Sequence, residues 1–141
     1  MAQTMVEIRS LADSSLAVGS SGPRTITVDR SRESGGLGLG FNGGELLLLA
    51  IGGCYSNDLF REAAKRGIHV HYAEVKVSAD WGGDPVRAQI VSFNVVVDAD
   101  AAEQEILDLI RDTDCVAEIP NSLRLGTEVK LDEAKAVSSR G

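Results

Sequence analysis

Gly44-Glu-Leu-Leu-Leu-Leu-Ala-Ile-Gly-Gly-Cys-Tyr-Ser-Asn-Asp58 is the stretch on which the fold turns. Leucine and alanine fill its first half, and polar residues (Asn57, Asp58, Arg61, Glu62, Lys65) enter only beyond Cys54. The pattern predicts one long helix from Glu45 to about Arg66, apolar nearly all round where it begins and therefore buried there. Gly52 and Gly53 each cost about 1 kcal/mol of helix propensity, which predicts that another helix crosses close at that point. Gly67 is the natural stop.

Upstream, residues 4–9 alternate loosely and predict a first strand, and Thr25-Ile-Thr-Val-Asp29 a second. Between them Val18-Gly-Ser-Ser-Gly-Pro23 reads as a turn cluster. A glycine-rich loop from Ser34 to Gly44 then forms a flexible approach to the helix. Downstream, Ala73, Val75, Val77, Ala79 and Trp81 alternate with Glu74, Lys76, Ser78 and Asp80. Gly82-Gly-Asp-Pro85 turns the chain, and Val91, Phe93, Val95 and Val97 return. This is an antiparallel hairpin with one wet face. Asp100-Ala-Ala-Glu103 has the spacing of a capping box opening a second helix that ends near Asp114. Leu123 to Leu131 predicts a last strand, and residues 134–141 a frayed tail. The order β-β-α-β-β-α-β makes one α+β domain of residues 1–141.

The length suits a single core, and the formal net charge of −7 comes without any basic cluster. Nucleic acid as a partner is excluded on that ground, since displacing phosphate counterions needs a basic stripe. No apolar run approaches the roughly 20 residues of a membrane span, so no membrane association is expected. The opening Met1-Ala-Gln-Thr-Met-Val-Glu-Ile-Arg9 shows no charged leader with an apolar stretch, and a cytoplasmic location is the expectation. In a reducing compartment two cysteines are seldom a structural staple.

Three motifs bear on chemistry. Gly38-Leu-Gly-Phe-Asn-Gly43 matches G-x-G-x-x-G, but no strand feeds it and a hairpin follows the helix, so dinucleotide binding is set aside. His69 and His71 share one strand face by spacing, but no C-x-x-C or H-x-x-x-H accompanies them, and they read as surface histidines with no metal. The cysteines are the strongest signal. Cys54 sits at the junction of an apolar and a polar half-helix, with Asn57, Asp58 and Arg61 on one side. Mid-helix it gains nothing from its own helix N-terminus, and Asp58 at i+4 works against a thiolate, so activation needs a cation brought in by the fold. A simply buried thiol is the plain alternative. Cys115 lies among Asp112, Asp114 and Glu118, so of the two Cys54 is the better nucleophile.

Asn42-Gly-Gly-Glu-Leu-Leu-Leu-Leu-Ala-Ile-Gly-Gly-Cys54, the Arg66-Gly-Ile exit, the hairpin, and Cys115 followed by Asn121-Ser-Leu-Arg-Leu-Gly-Thr-Glu-Val129 resemble the OsmC/Ohr family of bacterial osmotically inducible and organic hydroperoxide resistance proteins. The resemblance runs from about Met5 to Leu131. It implies an OsmC-like α+β fold of antiparallel sheets around two helices, intertwined as a homodimer with the long helices packed together. It implies thiol peroxidase chemistry on organic hydroperoxides, with Cys54 oxidised to a sulfenic acid, Cys115 resolving it to a disulfide, and a dithiol donor of the lipoyl type as reductant. No cofactor is implied. Family peroxidases carry an acid at the position of Gly44 and an arginine in the first hairpin turn. Here Glu45 and Arg24 are the candidates for those roles, and Cys-Val replaces the usual Cys-Pro at Cys115. The alternative is a non-peroxidase OsmC-like protein binding an apolar small molecule at the dimer-interface pocket.

Overall fold

The computed structural model describes residues 2–140. In chain order the elements are β1 (Glu7–Ser10), β2 (Ala17–Ser21), β3 (Arg24–Val28), α1 (Gly43–Lys65), β4 (Val70–Gly82), β5 (Arg87–Ala99), α2 (Glu103–Val116) and α3 (Glu118–Leu125). The fold is α+β: an antiparallel sheet β1-β2-β3, a second antiparallel sheet β4-β5, and three helices.

The leucine-rich stretch is α1, and its start is closed by a reciprocal capping box. Glu45 N–H donates to Asn42 Oδ1 at 2.8 Å, and Asn42 N–H donates to Glu45 Oε1 at 3.0 Å. Two of the helix's orphan N–H groups are thereby satisfied. Gly67 ends the helix at φ +65°, which lets Ile68 N–H return to Ala63 O at 2.9 Å. Ile51, Tyr55, Asp58, Leu59 and Ala63 form the buried stripe. Tyr55, Leu59 and Ala63 meet Leu109 of α2 and Ala117, with Ala73, Val75, Phe93, Val95 and Val97 of the hairpin against them.

The hairpin follows its expected alternation from Ala73↔Val97 to Asp80↔Ile90. Its register slips between Val70 and Tyr72, leaving His71 as an extra residue in the ladder. Such a bulge re-aims the side chains around it.

Three expectations are corrected. Ala17–Ser21 is a strand, because it has paired neighbours on both sides; only Gly22 (φ +58°) and Pro23 make the turn. Leu123-Arg-Leu125 belongs to α3, which Gly126 ends at φ +71°, and no strand forms through Leu131. Alternation alone cannot make a strand without an edge to pair with, and Val129 and Leu131 stand 94% and 86% exposed. The capping box expected at Asp100 is absent: Ala102 is the cap of α2, without a side-chain bond, and Asp100 accepts from His71 instead. Within the chain, the close neighbour at Gly52 is a strand. A Cβ there would come within 3.1 Å of Val77 Cγ2 on β4, whereas Gly53 faces open space.

The glycine-rich loop is ordered around one carboxylate. The buried Asp29 accepts from the N–H groups of Arg30 (2.8 Å), Leu37 (3.0 Å) and Leu39 (3.0 Å). The Leu39 N–H above all holds its carboxyl below the usual carboxylate range, against a smaller upward push from burial. Gly36 and Gly40 are required because a Cβ would lie 2.1 Å from Arg30 O and 2.4 Å from Thr27 O respectively.

The first sheet joins the rest of the chain through the pairing of Val28 with Phe41 and makes no substantial contact with the helices or the hairpin. Its apolar face carries Ile8, Ala17, Ile26 and Val28 around Gly19, with Ile8 and Ile26 exposed.

Candidate functional site

Cys54 lies half-buried on α1, seven residues before Arg61 and four before Asp58, which sets all three side chains along one helical face. The thiol donates to Asp58 Oδ2 at 3.7 Å. Asp58 is only 7% exposed and its other oxygen, Oδ1, lies 3.2 Å from Arg61 Nη1. From across the core, Ile119 N–H donates to Cys54 Sγ at 3.4 Å. Ile119 is in the first turn of α3, where backbone N–H groups have no intrahelical acceptor and the helix dipole is positive. The sulfur is therefore held between a carboxylate–guanidinium pair from its own helix and the N-terminal end of another.

The pair continues outward. Arg61 Nε lies 3.4 Å from Glu62 Oε2, which also takes Lys65 Nζ at 3.0 Å. The bond from Lys65 above all keeps the Glu62 carboxyl below its ordinary range, against a smaller push from burial, and the bond from Arg61 adds to the lowering.

Cys115 is exposed near the end of α2, and no disulfide joins it to Cys54. A polar clamp surrounds it. Asn121 Nδ2 donates to Cys115 O at 2.9 Å, and Arg124 donates to Asn121 Oδ1 at 3.0 Å and to Asp114 Oδ1 at 2.6 Å. These bonds stitch α2 to α3. Beside the clamp opens a cleft of about 630 Å³ lined in part by Tyr55, Phe93, Asp114, Cys115 and Arg124. A second groove, of about 490 Å³, runs along α1 between Leu48, Leu49, Gly52, Val75 and Val77.

Of the expected site residues, Glu45 and Arg24 are not brought to Cys54 within the chain. Glu45 is nine residues away, about 13 Å along the helix axis, and its carboxylate is used in the capping box. Arg24 caps the β2–β3 turn, bonding Ser21 O and Ser21 Oγ at 3.4 Å each. Helical spacing alone places Asp58 and Arg61 beside Cys54. No local signal announces the Ile119 N–H, because α3 arrives there only through the tertiary fold. His69 and His71, both exposed, have a third neighbour in Asp100. Among the described residues, no helix is long and apolar enough to cross a membrane.

The chain is thus a small α+β domain with a half-buried thiol on its long helix, set beside an acid–base pair, and with the β4-β5 hairpin packed against that helix. A model of the OsmC-like protein family matches residues 35–132, and the chain belongs to that family. Among curated proteins, none matches the sequence. The fold is similar to that of an OsmC-like protein from Mycoplasma pneumoniae, at 18% identity and TM-score 0.76, covering 89% of each chain. It is also similar to an organic hydroperoxide resistance protein from Legionella pneumophila, at 16% identity and TM-score 0.61, covering 88% of this chain and 90% of that one. A third similar structure is a putative organic hydroperoxide resistance protein from Vibrio cholerae, described with captopril in one of its active sites. There the identity is 19% and the TM-score 0.58, covering 90% of this chain and 86% of the other.

Proposed function

We propose that this protein is a thiol-dependent peroxidase that reduces organic hydroperoxides, with Cys54 as the attacking thiol and Cys115 as its resolving partner. The observation that carries the reading is the setting of Cys54 Sγ, half-buried between the Asp58–Arg61 pair and the Ile119 N–H. Asp58 and Arg61 stand here where Glu45 and Arg24 were the candidates from sequence. Relatives of the same fold named for organic hydroperoxide resistance support the substrate class.

The chemistry balances in three steps. Cys54 thiolate attacks one peroxide oxygen; an S–O bond forms, the O–O bond breaks, and the departing alkoxide takes a proton to leave as alcohol. The sulfenic acid then condenses with Cys115, forming the disulfide and releasing water. A dithiol of the lipoyl class reduces the disulfide by two exchanges, and a cytoplasmic setting supplies such a donor. Cys115 precedes by four residues Ile119, whose N–H reaches Cys54 Sγ, and the resolving step requires the two sulfurs to come within bonding reach.

A homodimer is part of this reading. The apolar face of the first sheet and the exposed Leu49 and Phe60 on α1 are uncovered in one chain, and a second copy would bury both. The second reading is binding of an apolar small molecule in the α1–β4 groove, favoured by the lining of Leu48, Leu49, Val75 and Val77.

Intact mass and free-thiol count after a stoichiometric pulse of cumene hydroperoxide test the proposal. Loss of two hydrogens' mass with both thiols, in wild type but not in Cys54→Ser, is the expected result. A Cys115→Ser chain should instead gain one oxygen at Cys54. Two thiols still free in wild type would sink the peroxidase reading and leave the ligand-binding one.

A further inference from the structure

We propose a divalent-cation site, of the zinc class, formed by His69, His71 and Asp100 where the hairpin meets the start of α2. Each residue offers one ligand atom, and these atoms all lie within 4.8 Å of one another. His71 Nε2 and Asp100 Oδ1 are 2.7 Å apart, and the two imidazoles stand edge to face with ring centroids 4.6 Å apart.

Ligand atoms around a tetrahedral zinc ion at about 2.0–2.1 Å are roughly 3.3 Å from each other. A cation replacing the proton shared by His71 and Asp100 therefore needs only a small opening of that pair and a modest closing of His69 onto it. Two imidazoles and one carboxylate select zinc, nickel or copper over magnesium or calcium, which prefer all-oxygen shells. The fourth position faces solvent, since all three residues are exposed, and water completes the shell.

The backbone holds the three groups in place without the ion. His71 is the extra residue of the β4 bulge, and bulges turn side chains out of their regular alternation. Asp100 N–H donates to His69 O at 2.9 Å, which ties the β5–α2 turn to the residue just before β4, two positions from His71. Asp98, whose charge reaches His71, adds to the negative field. In sequence the third ligand is 29 residues beyond His71, outside any local metal motif, so only the folded chain assembles the set. An occupied site clamps the open end of the hairpin to the turn that leads into α2.

The chain contains two histidines, both in this cluster, so their imidazole NMR signals report this site alone. The experiment is a zinc chloride titration of the full chain with Cys54 and Cys115 both alkylated, followed by NMR and calorimetry. One equivalent per chain, with both imidazoles shifting together, is expected. His71→Ala and Asp100→Ala, each confirmed folded by its thermal transition, should weaken binding at least about tenfold. Imidazole signals that do not move, or variants that bind zinc as wild type does, overturn the site.

Discussion

Gly53 separates two structures of the functional unit. In a single chain nothing lies within 4 Å of a Cβ built at this position. It sits in an uncovered stripe of α1 with Leu49 (52% exposed) and Phe60 (46% exposed). If that stripe faces water, Gly53→Ala recovers the helix propensity that glycine forfeits, about 1 kcal/mol. For a domain of this size that raises the melting temperature by about 3–4 °C. If the helix of a second copy crosses there, as the homodimer proposal requires, the methyl enters a close contact. Overpacking then costs about 1–3 kcal/mol, which exceeds the propensity gain over most of its range. The expected outcome is a lower melting temperature for Gly53→Ala, a larger drop for Gly53→Leu, and a shift toward monomer in sedimentation. Gly52→Ala is the internal comparison, because its Cβ meets Val77 at 3.1 Å within the same chain whatever the assembly. Two Gly53 variants that melt above wild type and sediment as it does would refute the helix crossing.

Three further outcomes are expected. Tyr55 is fully buried and donates to Ile110 O at 2.8 Å; burial, with a smaller push from Asp114, raises its hydroxyl pKa well above the ordinary value near 10. A raised folded value means stability is complete below pH 10 and falls above it, by about 1.4 kcal/mol per pH unit from this group. Tyr55→Phe should cost about 1 kcal/mol at neutral pH and flatten that alkaline loss; parallel denaturation profiles above pH 10 would contradict the assignment. Asp29→Ala removes the acceptor shared by Leu37 and Leu39, so exchange at those two amides should quicken about tenfold or more while α1 amides keep their protection. Gly40→Ala drives a Cβ into Thr27 O and should unfold the loop, whereas Gly43→Ala, at the first residue of α1, meets nothing within 4 Å and should not lower the melting temperature. Equal effects from the two would show that the loop is not packed as described.

Much of the fold was legible because its elements are written in local chemistry. The run from Glu45 to Lys65 can only be a helix, and its limits are set by Asn42 and Gly67, residues whose capping roles depend on near neighbours. The hairpin declared itself through strict alternation on both strands. The reading failed where a partner decides the outcome. Val18–Pro23 looks like a turn cluster until β1 and β3 pair with its first residues, and Leu123–Leu131 looks like a strand until no edge is there to receive it.

The candidate site divides along the same line. The sequence by itself determined the helix that carries Cys54, and with it the placing of Asp58 and Arg61, since i, i+4 and i+7 share a face wherever a helix forms. It equally determined that no basic stripe exists to hold a nucleic acid. Only the tertiary structure decided that Asp58 is buried, that Ile119 N–H meets the sulfur, and that Glu45 and Arg24 are occupied elsewhere. Only it joined Asp100 to two histidines 29 and 31 residues away. The reason is physical: helical periodicity acts over one or two turns, whereas burial and convergence depend on which distant surfaces the chain brings together.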